Sequence, residues 1–247
     1  LIQPIRLAGN PGRYIATRQR PPSACWEEGG PSCECTIWPG GQCGGLFQGP
    51  QILWLLRPGS PSRDWTADEY QCGKGVHVAR DTARKLGEKA REAGIALSVH
   101  APYFINLANP DPESRAKTTN YVLESCFVAQ VMGAERIVIH SGALMKRSRQ
   151  EALDIAKETL KQVLEACDRQ GYGNITLCPE TMGKINQLGD LDEVLTLCTL
   201  DERLIPASTL ATCTPARWVS WRESRPAGRC WTRWRRVLGE ERASRLP

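Results

Sequence analysis

Apolar residues recur along the chain from residue 80 onward with two alternating periods. Between Arg80 and Ala93, residues Ala83, Leu86, Ala90 and Ala93 return at steps of three and four with charges between them, the spacing of one helix face. Gly94 follows where a glycine ends a helix. Ile95–His100 is then a short β-rich run leading into Ala101-Pro102-Tyr103. The pattern repeats three times. A helix over about 113–132, closed by Gly133, precedes a strand beginning Arg136-Ile137-Val138-Ile139-His140. One over about 148–168 precedes Asn174-Ile175-Thr176-Leu177-Cys178-Pro179-Glu180, and one over about 190–199 opens at Asp190, a plausible N-cap.

Helices alternating with nearly continuous apolar strands predict parallel βα units. His100 to His140 and His140 to Glu180 are both steps of 40 residues. A TIM barrel spends about 250 residues on eight units, roughly 31 each before insertions, so residues 68–206 hold about four. The predicted fold is therefore α/β: a partial (β/α)8 TIM barrel with irregular N- and C-terminal flanks.

Composition divides the chain at the same places. All 8 Trp lie outside residues 66–217, whereas all 3 His and all 8 Lys lie within 68–206. The middle is mildly acidic, and the +5 net charge comes mainly from the last 41 residues, with 9 Arg against 3 acids. That tail alone is weak support for a nucleic-acid surface. The 11 Cys are odd in number and scattered, which argues against a disulfide framework; Cys126, Cys167, Cys178 and Cys198 sit in apolar patterns as buried thiols of a reducing compartment. No apolar run reaches 18 residues and the start has no apolar segment behind its charge, so neither a membrane span nor a signal peptide is expected, and the location is read as cytoplasmic.

Three predicted strands each end in a metal-capable side chain: His100, His140 and Glu180. In parallel α/β folds the carboxyl ends of the strands converge on the site. Two imidazoles and a carboxylate form the His₂Glu set of catalytic zinc, or else three capped polar residues at strand ends. His77 is read as a loop residue. Gly183–Gly189 with Lys184 offers a weak phosphate-contacting loop, and Tyr103-Phe104 offers either an aromatic wedge or rim packing.

At these residues the sequence resembles endonuclease IV, the zinc-dependent apurinic/apyrimidinic endonuclease of the xylose-isomerase-like TIM barrels. The motifs are Val99-His100-Ala101-Pro102-Tyr103-Phe104-Ile105-Asn106-Leu107, Ile139-His140-Ser141-Gly142, and Pro179-Glu180-Thr181-Met182-Gly183 with Gln187-Leu188-Gly189. The resemblance covers about residues 69–206. It implies DNA with abasic sites as substrate and hydrolysis 5′ to the abasic sugar within a three-zinc cluster. It implies metal ligands His100, His140 and Glu180, with Glu180 also catalytic, bridging to a second metal, and DNA-binding Tyr103 and Phe104. No protein partner is expected. A sugar isomerase or epimerase of the same barrel superfamily is the alternative.

The family continues after residue 206 with a strand carrying an Asp and a His that bind metal; Ala207–Thr214 contains neither. The chain thus retains ligands for about one site, and an inactive, truncated product is a further reading. Codons permitted for Ala207–Thr214, read one base back, give Ile-Asp-Phe-Gly-His-Leu-Tyr. The same shift turns Trp231–Arg236 into Leu-Asp-Ala-Leu-Glu-Glu. Residues 207–236, and more loosely 1–67, read as frameshifted; a genuine Arg/Trp tail binding nucleic acid is the competing interpretation. Four units without closure would leave open sheet edges, so marginal stability is expected.

Overall fold

The computed structural model describes residues 67–207 and 225–244. Four βα units appear in order: β1 (Ala67–Gln71), α1 (Arg80–Glu92), β2 (Ala96–His100), α2 (Pro112–Met132), β3 (Arg136–His140), α3 (Arg149–Arg169), β4 (Thr176–Glu180) and α4 (Leu191–Cys198). The strands form one parallel sheet in sequence order, β1-β2-β3-β4. This is half of a (β/α)8 barrel, as the spacing predicts. Beyond β4 the chain at Ala207 bridges Glu180 in parallel, with Ala207 N–H donating to Pro179 O at 2.9 Å.

Local chemistry sets the element ends. Ser148 and Asp190 each cap a helix with a reciprocal capping box, to Glu151 and Glu193 respectively, satisfying backbone donors that the first turn leaves free. Gly133 ends α2 in the left-handed conformation (φ 73°), which costs glycine nothing. Arg149 reaches from the start of α3 to Glu193 at 2.6 Å, tying two helix N-termini together above the sheet.

Period-two alternation gives the sheet two faces. One packs Tyr70, Leu97, Val99, Ile137, Ile139 and Leu177 against helical Leu86, Val122, Leu160, Val163 and Val194, forming the main core. The helices come close enough that a Cβ on Gly87 would lie 2.0 Å from Met132 O, so the α1–α2 crossing requires glycine there. The other, concave face carries Glu69, Gln71, Ser98, His100, His140 and Glu180, with a small apolar cluster of Val138, Cys178, Ile205 and Ala207 below them.

The flank expected to be irregular or partly helical contains α5 (Arg225–Leu238) and α6 (Glu240–Ser244). Trp234, Leu238 and Ala243 are buried, Arg233 meets Asp192 at 2.9 Å, and the Arg242 guanidinium donates to the carbonyls of Cys198, Asp201 and Leu204. Residues 1–66 and 208–224, on which most of the frameshift reading falls, lie outside the described residues.

Candidate metal centre

His100, His140 and Glu180 are the last residues of β2, β3 and β4. His140 pairs directly with Glu180, while His100 pairs with Val138, two residues before His140. An offset of two keeps both imidazoles on the same face, where an offset of one would separate them. All three side chains are buried, and their donor atoms lie within 4.8 Å of one another.

Backbone carbonyls fix both rings. His100 Nδ1 lies 2.7 Å from Ala101 O and His140 Nδ1 lies 3.2 Å from Tyr103 O. A carbonyl only accepts, so each Nδ1 carries a proton and each ring turns its Nε2 toward the site, the arrangement that orients histidine ligands. The Glu180 Oε2 is 3.4 Å from His100 Nε2 and 3.2 Å from His140 Nε2. Two ligands each about 2.1 Å from a tetrahedral ion lie about 3.4 Å apart, so this donor set fits zinc.

Electrostatics favours a charged carboxylate here. Burial by itself would raise the Glu180 pKa, but hydrogen bonds from both histidines outweigh it and hold the group at about 2. Burial lowers the His100 pKa; the hydrogen bond to Glu180 and the charges of Glu69 and Glu180 more than reverse this, leaving it raised.

Tyr103 and Phe104 sit at the rim, 47% and 49% exposed. The Tyr103 ring stacks on His140 (centroids 5.6 Å, 27°) and leans on His100 (5.0 Å), while Phe104 meets Tyr121 edge-on at 4.7 Å. Three loops form the rim: 101–111, 141–148 and 181–190. Asn106 Oδ1 accepts from Ala108 N–H (3.1 Å) and Ala143 N–H (3.0 Å), joining the first loop to the second. Gly142 (φ 119°) accommodates this, since a Cβ there would lie 2.1 Å from Asn106 Oδ1. Leu144 N–H to Asn186 O (3.0 Å) and Leu188 N–H to Gly142 O (2.9 Å) join the second to the third. Lys184 is exposed on that third loop, and His77 is exposed in the loop after β1.

Sequence reading missed β1 and the Glu69 and Gln71 that it contributes. Gln71 pairs with His100, and its amide donates to Glu69, which also accepts from Ser98 Oγ at 3.4 Å. Burial raises the Glu69 carboxyl pKa, with the nearby Glu180 charge acting in the same direction and His100 against it. Counting back one βα unit from His100 would have located this strand.

Comparison with known proteins places this architecture. The chain is 33% identical over 132 residues to an uncharacterised protein of Methanocaldococcus jannaschii (53% of this chain, 47% of that protein) and 38% identical over 103 residues to a probable endonuclease 4 of Acholeplasma laidlawii (40% and 34%). It therefore spans less than half the length of these curated relatives. Among solved structures, endonuclease IV from Thermus thermophilus superposes with a TM-score of 0.53 at 21% identity (72% of this chain, 64% of that one). A D-tagatose 3-epimerase-like protein superposes at 0.52 and 22% (60% and 58%), so the fold is common to nuclease and epimerase neighbours. Residues 64–202, over half of the chain, match the model of the xylose isomerase-like TIM barrel, and the chain belongs to that family.

Proposed function

We propose that the chain is a zinc-dependent phosphodiesterase of the endonuclease IV type, acting on abasic sites in DNA. The observation that carries this reading is the donor triad itself: two histidines with Nδ1 on a backbone carbonyl and Nε2 turned to an ionised glutamate, at the spacing of tetrahedral ligands. Relatives named probable endonuclease 4 at 30–38% identity support a nuclease, and the abasic site as its target follows from the motif resemblance.

His100 Nε2, His140 Nε2 and a Glu180 oxygen would hold the ion. Zinc in such a site supplies Lewis acidity toward a phosphoryl oxygen and lowers the pKa of coordinated water. The protein's part is to keep Glu180 ionised and both rings aimed. The carbonyls of Ala101 and Tyr103 lock the two rings, and the half-exposed Tyr103 and Phe104 present aromatic faces beside the ligands, where an extrahelical sugar or unstacked base can pack. Among the described residues this is the one cluster that can hold a metal, and Ala207–Thr214 carries neither the Asp nor the His that the resemblance implies for further sites, so we propose a single zinc site.

Incision of a duplex containing one abasic site, stopped by chelator and by His140→Ala, is the expected result. Chelator-insensitive incision, or sugar isomerisation in place of incision, would overturn it, while three zinc per chain would overturn only the single-site assignment.

A further inference from the structure

We propose that Gln71 is a positioning residue for the metal centre, acting through Tyr103 on His140. The inference deepens the metal-site reading and rests on it.

Tyr103 does two things at His140: its carbonyl accepts the Nδ1 proton at 3.2 Å, and its ring stacks on the imidazole. Whatever places Tyr103 therefore also fixes the ligand's tautomer and tilt. The C-terminal end of β1 holds it at two points. Gly73 O accepts the Tyr103 backbone N–H at 3.0 Å, and Gln71 Oε1 accepts the phenolic proton at 2.6 Å. The second contact matters because Tyr103 is nearly half exposed, with no enclosing core to set its rotamer.

The Gln71 amide is itself oriented. Its Nε2 donates to Glu69 Oε1, and Oε1 is the end turned to the phenol. Glu69 is steadied in turn by Ser98 Oγ on the neighbouring strand. The result is one chain of hydrogen bonds, Ser98 and Gln71 to Glu69, Tyr103 to Gln71, and His140 to the Tyr103 carbonyl, crossing from β1 to β3. None of its first three members is a metal ligand. Outer partners of this kind typically change metal affinity by about 10- to 100-fold when removed.

Zinc affinity is measured by competition with a chromophoric chelator for the full-length chain, Gln71→Leu, Tyr103→Phe and the double variant, with the His140 Nδ1–H resonance followed in parallel by NMR. Each single variant should bind zinc about 10- to 100-fold more weakly and show faster exchange of that proton. The double variant should lose no more than the worse single, because both break the same chain. Tyr103→Phe keeps the ring and removes only the hydroxyl, so it carries the test if Gln71→Leu fails to fold. Wild-type affinity and an unchanged Nδ1–H signal in the variants, or losses that add, would overturn the positioning role while leaving the metal site standing. A wild-type chain that takes up no zinc would overturn the site reading and this inference with it.

Discussion

The two faces of the four-stranded sheet are built from alternate residues of the same five-residue strands, yet they do opposite work. Toward the helices, Val99, Ile137, Ile139 and Leu177 are buried among leucines and valines. Toward the concave side, Ser98, His100, His140 and Glu180 spend the same positions on polar groups whose burial is costly unless partnered. Each of the site's histidines has its partners within 3.4 Å, on a carbonyl and on Glu180. A strand can carry chemistry at every second residue because the residue between secures it to the core. Stability and reactivity should therefore separate by face.

The largest effects test that separation directly. Glu180→Ala should abolish tight zinc uptake while the metal-free chain keeps its far-ultraviolet circular dichroism. Leu160→Ala, at a fully buried α3 position, should lower unfolding stability by about 2–5 kcal/mol and leave zinc stoichiometry unchanged. Urea titrations and metal analysis on both variants would break the comparison if the outcomes were exchanged.

A smaller effect concerns pH. The Glu180 pKa is held at about 2 in the folded state, below its usual 4.5, so its contribution is fully present above pH 4.5 and is lost as pH falls toward 2. The raised His100 pKa works in the other direction: its contribution is present below 6.5 and is lost as pH rises through the folded value. The metal-free chain should be most stable between these limits, and Glu180→Gln should flatten the acid limb of a plot of urea midpoint against pH. Zinc must displace the His100 proton, so uptake should strengthen as pH rises through that raised value.

The smallest effect sharpens the contrast between the half-barrel and its C-terminal flank. Trp234 is buried on α5 with its indole N–H lacking a partner among the described residues. We propose that α5 is a barrel helix read out of frame; in the shifted frame this position is leucine, which has no N–H to satisfy. Trp234→Leu should leave the urea midpoint equal or higher, since removing an orphaned donor offsets the lost apolar area. An intact reading frame over codons 207–236 in independent isolates, or a clear loss of stability, would sink the proposal.

The strand-end triad was legible because βα units repeat: a ligand type recurring at 40-residue steps, each time after an apolar run, is a topological signal. The strands ended at His100, His140 and Glu180, and helix bounds fell within a residue or two of the periodic runs. β1 was not legible. In Ala67-Asp68-Glu69-Tyr70-Gln71 the concave residues are Glu and Gln and one outer residue is Asp68, so no apolar run exists, and the strand is defined by pairing with β2. Nor could sequence show that Tyr103 is stacked on His140 and tied to Gln71, because both depend on residues more than 30 positions apart meeting across strands.

The shared acceptor at Asn106 has a mechanical consequence. One amide oxygen serves N–H groups from two loops, and the second loop is laced to the third, so the rim behaves as a single hoop rather than three free flaps. Whatever steadies one segment of that hoop steadies its neighbours, and a break at Asn106 frees the first loop while the second and third stay laced together.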